Sequence, residues 1–272
     1  MKKNALKEIW AAGRPVLNGW LSIGNPFTAE IMAAQGYDAV SIDIQHGALD
    51  YSAMLPMFQA MRASGVVPMA RVPWNEAGII MKVLDAGAYG VICPMVNTPE
   101  EAARFVKAMR YPPMGERSFG PTRANFTQGA NIPYEANEEV LAFAMVETAE
   151  AMANLDAIAA TPGLNGIYVG PADLTFSLYG GRFPPAFDRE EPEMIEVLQT
   201  IVAAAHKAGI KAALHCGAAD YAARAIGWGF DMTTVSGDAR LLAAAAAASV
   251  ARFRELTDAP AETAAATGTG AY

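Results

Sequence analysis

The chain is poor in the residues that mark whole classes of protein. Cysteine occurs twice in 272 residues, at Cys93 and Cys216, with no C-x-x-C spacing. That excludes a disulfide framework and a thiolate metal site. Both cysteines fall inside apolar runs, as buried thiols of a reducing compartment do. Histidine occurs three times, at His46, His206 and His215, without the spacing of a zinc site. Basic residues are in deficit, 20 against 28 acidic ones, for a formal charge of −8. Nucleic acid and anionic membrane both require a basic footprint, so neither is an expected partner. No long apolar run is present: the longest, residues 241–251 interrupted by Ser249, is too short and too alanine-rich to span a bilayer. Lys7 and Glu8 stand where a signal peptide needs an apolar core, so a cytoplasmic location is expected. A G-x-S-x-G nucleophile elbow is missing as well, which disfavours a serine hydrolase.

What is there is a regular alternation. Short, mostly continuous apolar runs predict eight strands at residues 16–23, 39–43, 67–71, 90–94, 142–147, 166–170, 211–214 and 232–235. Continuous rather than alternating runs suit parallel strands covered on both faces. Between them, periodicity predicts helices at 28–35, 51–64, 76–86, 98–109, 149–158, 192–208, 218–227 and 239–256. Thr98-Pro99-Glu100-Glu101 reads as an N-cap, a first-turn proline and acids beside the positive helix end. Gly36, Gly65, Gly87, Gly209 and Gly229 each close a helical run. Eight strands and eight helices in about 250 residues predict a single-domain (β/α)8 TIM barrel over residues 1–257. A doubly wound sheet would show a glycine-rich first turn, and Ile23-Gly24-Asn25-Pro26 is not one. Residues 109–137 and 171–191 are expected as long functional loops, and 258–272, small and polar, as a flexible tail.

Active sites of such barrels sit at the C-terminal ends of the strands. Trp20, Asp43, His46, Arg71, Glu147, Gly170, Ala172, Asp173 and His215 all fall there. Glu147 and Asp173 end neighbouring strands. They are readable as two oxygen ligands of one divalent cation, as a glycosidase pair, or, for Glu147, as the partner of a barrel arginine. Arg71 is readable as a structural cation or as the stabiliser of an oxyanion. Asp43, three residues before His46, could set that ring's basicity. The N–H groups of Ala172 and Asp173 could grip an anion such as a carboxylate. A Schiff-base lysine is disfavoured, because Lys211 opens its strand at the wrong end of the barrel.

Six motifs stand in order: SIDIQHG, ARVPWN, LDAGAYGVICPMV, RYPPMGERSFGPTRA, MVET and YVGPADL. Together they resemble the HpcH/HpaI aldolase family, the metal-dependent class II pyruvate aldolases, from about residue 19 to about residue 254. The resemblance implies a barrel assembled as a hexamer, a trimer of dimers, and leaves room for its last helix to be exchanged between subunits. It implies Glu147 and Asp173 as ligands of Mg²⁺, Mn²⁺ or Co²⁺, and Arg71 at the keto or enolate oxygen. His46 would act with water in proton transfer, with Asp43 orienting it. Trp20 would line the mouth, and Gly170, Ala172 and Asp173 would hold the substrate carboxylate. Asp85 would reach a neighbouring subunit's site. The implied reaction cleaves a 4-hydroxy-2-oxo acid to pyruvate and an aldehyde. Two departures bear on the substrate: Met145 replaces a glutamine two residues before the metal-binding glutamate, and His215 replaces an apolar residue. His215 could meet a hydroxylated or anionic aldehyde, or a donor such as hydroxypyruvate. A CoA-ester lyase or a decarboxylating synthase on the same scaffold is a competing expectation. A CoA cradle, however, would draw on little beyond Arg117, Arg123 and Arg182. A non-catalytic barrel would lack Glu147, Asp173 or Arg71, and all three are present.

Overall fold

The computed structural model describes residues 1–129 and 131–257. The proposed tail at 258–272 lies outside the described residues. Eight strands close into one parallel barrel in chain order: β1 (Val16–Leu21), β2 (Ala39–Asp43), β3 (Val67–Arg71), β4 (Gly90–Cys93), β5 (Leu141–Val146), β6 (Gly166–Val169), β7 (Lys211–Cys216) and β8 (Met232–Val235). Around it lie α1 (Ala5–Ala11), α2 (Pro26–Ala33), α3 (Tyr51–Ala60), α4 (Ala77–Asp85), α5 (Pro99–Met109), α6 (Ala124–Gln128), α7 (Ile132–Glu139), α8 (Ala149–Ala153), α9 (Leu155–Ala159), α10 (Pro171–Tyr179), α11 (Pro192–Lys207), α12 (Ala219–Gly227) and α13 (Asp238–Leu256). The chain is a single-domain (β/α)8 barrel.

Several expectations need correction. The two long loops are not structureless: α6 and α7 lie within 109–137, and α10 opens 171–191. Helix 149–158 is two short helices, with Asn154 between them donating from Nδ2 to the Asn97 carbonyl at 2.9 Å. β7 runs two residues further than predicted, so His215 lies within the strand and its direction follows the pleat.

The parallel pairing buries both faces of the sheet and divides the core in two. Ala142, Ala144 and Val146 point outward to the helices, while Leu141, Phe143 and Met145 point into the barrel. This two-residue alternation places each strand's side chains. α1 closes the N-terminal end of the barrel. Asn4 caps it, Leu6 is fully buried in the interior cluster, and Trp10 Nε1 donates to the Asp231 carbonyl at 3.0 Å. At the other end α13 is tied by its first residue. Asp238 accepts from the backbone N–H of Ser22 and Ile23 at 2.8 and 3.1 Å. Beyond Asp238 the helix has no buried residue and exposes Leu241, Leu242, Val250, Phe253 and Leu256. Among the described residues no helix is long and apolar enough to cross a membrane.

Because Leu6 plugs the barrel floor, Leu6→Ala should cost about 2–5 kcal/mol through the cavity it leaves. Urea unfolding should show a lowered midpoint with an unchanged slope; an unchanged midpoint would mean that α1 is not part of the core.

Candidate active site

A cavity opens at the C-terminal mouth of the barrel, lined by Trp20, Asp43, His46, Arg71, Met145 and His215 among others. At its centre is a buried ion pair. Asp43 and Arg71 are partners in the register of β2 and β3, and both point inward. Arg71 Nε donates to Asp43 Oδ1 at 2.9 Å and Nη2 to Oδ2 at 2.6 Å, the two-pronged geometry that orients a guanidinium. Burial would push the Asp43 carboxyl up. The Arg71 hydrogen bonds and charge, with the backbone N–H groups of His46 and Gln45, outweigh it and hold Asp43 below the ordinary carboxylate value. Arg71 also stacks on Trp20, its Cζ 5.0 Å from the ring centroid, and Nη1 lies 3.9 Å from Met145 Sδ. His46 stands exposed at the rim. The contacts of the Asp43 carboxylate with His46 and Gln45 are to their main-chain N–H, at 3.3 and 3.1 Å. Asp43 therefore positions Arg71 directly and His46 through its backbone.

The carboxylate pair lies at the cavity edge, behind Gly170. Glu147 follows β5 and is buried. Its Oε1 accepts from the Met95 N–H at 2.7 Å, and Met95 holds a left-handed φ of 53° to deliver that hydrogen. Such a backbone in a non-glycine residue is a cost that functional sites commonly carry. A Cβ added at Gly170 would stand 2.5 Å from Glu147 Oε2, so glycine is what leaves room there. Asp173 is half-buried in the first turn of α10. Burial pushes Glu147 up to about 7; the Met95 N–H opposes this, Asp173's charge adds to it, and Arg71 opposes it. Two carboxylates whose charges work against each other, one buried and one half-buried, are a donor set suited to a hard divalent cation. No group of three or more His, Cys, Asp or Glu side chains poised for a metal occurs among the described residues. A cation here would therefore depend on this pair and on oxygens from water or substrate.

His215, in β7, forms the opposite wall. Its ring lies 4.8 Å from Trp20 edge-on and 4.5 Å from Phe187, and Nδ1 is 3.0 Å from the Tyr168 hydroxyl. Burial first, then the Arg71 charge, push the ring down to about 3, so it is neutral at physiological pH.

The structure thus brings together Trp20, Asp43, His46, Arg71, Gly170, Ala172 and His215 around one cavity, with Glu147 and Asp173 adjoining it. It does not bring Asp85 there. Asp85 ends α4, at the N-terminal side of the strands, and pairs with buried Arg117 at 2.7 Å. Sequence reasoning missed Phe187 and Arg240, which also line the cavity. Phe187 lay in an expected loop. Arg240, in the first turn of α13, had a signal in its closeness to the end of β8.

A closed barrel whose mouth gathers an oriented arginine, a rim histidine and a carboxylate pair is an enzyme site for chemistry on an oxyanion. The chain belongs to the HpcH/HpaI aldolase/citrate lyase family, whose model matches residues 17–245. It is 40% identical to a hydroxypyruvate/pyruvate aldolase of Rhizorhabdus wittichii, covering 93% of this chain and 100% of that one. It is 33% identical to a 4-hydroxy-2-oxo-heptane-1,7-dioate aldolase of Salmonella dublin, over 92% of this chain and 95% of the relative. A crystal structure of a family member from Burkholderia cenocepacia superposes with a TM-score of 0.84 at 30% identity, over 93% of this chain and 100% of that one. The protein is an enzyme of the aldolase class, a carbon–carbon lyase.

Removing the acid of the central pair leaves a buried guanidinium without its counter-charge. Asp43→Asn should destabilise the protein by about 3–5 kcal/mol at neutral pH. Because Asp43 titrates low in the folded state, its stabilising effect is full above the ordinary carboxylate pKa and is lost as pH falls through the folded value. Urea unfolding across that range should show wild type and variant converging in acid; a pH-independent gap would contradict the assignment.

Proposed function

We propose that this chain is a divalent-metal-dependent class II aldolase. It reversibly cleaves a 4-hydroxy-2-oxo acid into pyruvate, or hydroxypyruvate, and an aldehyde. The observation that carries the reading is that Arg71 lines a small cavity and Glu147 lies beside Gly170 at its wall, within reach of the charges of Asp173 and Arg71. The names of the relatives support the same chemistry.

Glu147 and Asp173 would hold Mg²⁺, Mn²⁺ or Co²⁺, which supplies the Lewis acidity that makes an enolate of a 2-oxo acid accessible. The residues do the rest. Ala172 and Asp173, at the start of α10, turn first-turn N–H groups toward the substrate carboxylate. Arg71, pre-oriented by Asp43, donates to the oxygen on which enolate charge develops, with little reorganisation left to perform. His46 at the rim, directly or through water, takes the proton of the 4-hydroxyl. The O–H electron pair forms the aldehyde carbonyl, the C3–C4 bond breaks, and its electrons pass into the enolate. Trp20 and Met145 exclude water from the reacting carbons. In the synthetic direction His46 returns the proton.

The enzyme acts in the cytoplasm as a homo-oligomer, a hexamer built as a trimer of dimers. The support for assembly is α13, whose leucines, valine and phenylalanine are too apolar for a helix left in water. In the assembly Asp85 stands at a neighbouring subunit's site.

Deuterium exchange at the pyruvate methyl group tests the chemistry without knowledge of the aldehyde. EDTA-stripped protein should leave the methyl protons in place, Mn²⁺ should restore exchange, and Glu147→Ala should abolish it. Failure of both pyruvate and hydroxypyruvate to exchange with Mg²⁺, Mn²⁺ and Co²⁺ would sink the reading. His46→Ala should slow cleavage by roughly 10²–10⁴-fold. Sedimentation velocity on the full chain should return a mass several times 28.7 kDa; a monomer would remove the assembly.

A further inference from the structure

A hydrogen-bonded chain of side chains crosses the barrel interior and ends on His215, and the proposed reaction makes no use of it. Its members are Asn18 on β1, Thr234 on β8, Tyr168 on β6 and His215 on β7, all buried. The chain has a direction, set at its far end. The Asn18 amide meets the hydroxyls of Thr234 and Ser41 either way round, since a hydroxyl donates or accepts, but one orientation sets Oδ1 against two backbone carbonyls and the other turns Nδ2 to them. In the second, electrostatically matched orientation Nδ2 donates to the carbonyls of Ala39 and Gly19, each at 3.3 Å, Oδ1 accepts from Thr234 Oγ1 at 2.8 Å, and Ser41 Oγ lies 3.1 Å away. A threonine hydroxyl has one proton to give. With that proton on Asn18, Oγ1 is the acceptor for the Tyr168 hydroxyl 2.7 Å away. The tyrosine proton is then committed too, so the 3.0 Å contact to His215 Nδ1 needs its hydrogen on the ring. A neutral imidazole carries one N–H. Nε2 is left with a lone pair, in a residue that lines the cavity.

We infer that this relay holds His215 as its Nδ1–H tautomer, so that Nε2 accepts a hydrogen bond from a substrate hydroxyl and selects α-hydroxy carbonyl compounds. The inference rests on the aldolase reading and narrows its substrate. A neutral acceptor repels carboxylate and carbonyl oxygens, so it disfavours the anionic aldehyde that a protonated histidine would attract. The hydroxyl has two sources, the donor, as in hydroxypyruvate, or the aldehyde, as in glycolaldehyde. Asn18, Thr234 and Tyr168 are positioning residues, acting through the tautomer.

Neutron diffraction from deuterium-exchanged crystals of the full chain reads the tautomer directly. The ring deuteron of His215 should sit on Nδ1 alone. In Thr234→Val, Tyr168 loses its acceptor and can turn its proton to Nδ1, so the deuteron should move to Nε2. A deuteron on Nε2 in the wild type overturns the relay, whatever the reaction proves to be. Kinetics then test selection. The ratio of kcat/KM for hydroxypyruvate over pyruvate is measured with a common aldehyde, and that for glycolaldehyde over acetaldehyde with a common donor. One ratio should fall roughly tenfold in both Thr234→Val and His215→Leu, and which one falls identifies the source of the hydroxyl. Both ratios unchanged in folded variants would overturn the selection. No turnover of any pair by the wild type would instead overturn the aldolase reading itself, with the tautomer already known.

Discussion

In a closed parallel sheet a strand residue has two addresses, inside the barrel or outside it, and the chemistry at the mouth depends on that division. The pleat sends Asp43 and Arg71 inward from adjacent strands at the same register level. Neither group could occupy that place alone, since an unpaired charge in such surroundings costs several kcal/mol. Each makes the other tolerable. What emerges is a guanidinium with a fixed aim, whose remaining hydrogens face the cavity side occupied by Trp20 and Met145.

From that pair the electrostatics of the cavity follow. Asp43 is held low by a permanent cation, whereas Glu147 is raised by burial and by Asp173. Two acids in one site are thereby driven apart in acidity, the usual sign that they have different tasks. Asp43 serves the arginine. Glu147 has Oε1 on the N–H of Met95, a residue with left-handed φ, and room kept at Oε2 by Gly170, the arrangement that the proposed cation would use. His215, near the same arginine and as deeply buried, is kept neutral. The site therefore places one fixed cation, one carboxylate pair and one neutral acceptor around a volume suited to a small 2-oxo acid.

The barrel interior also holds polar groups where leucine or valine would fill space at less cost. Asn18, Thr234 and Tyr168 justify their burial by satisfying one another, and the interior carbonyls of Ala39 and Gly19 take the amide hydrogens. A satisfied network of this kind is rigid and has a defined donor sense. That rigidity lets a residue in the middle of β1 influence a ring two strands away at the mouth.

Much of this was legible in the chain. The β/α alternation, the strand positions and the clustering of Arg71, Glu147, Asp173 and His46 near strand ends come from apolar runs and local punctuation, which depend on neighbours in sequence. α1 escaped notice, although Asn4 followed by Leu6, Ile9 and Trp10 carries its cap and its buried stripe, because its partner is the barrel floor rather than the next element. The same reason hid the relay: Asn18, Tyr168 and Thr234 are far apart along the chain and read singly as ordinary strand residues. By itself the sequence determined the barrel and the residue types at its mouth, since periodicity and composition act locally. Only the tertiary structure decided which acid serves the arginine, which backbone N–H holds Glu147 and which hydroxyl meets Nδ1 of His215, because each is a choice of partner made across strands by distance.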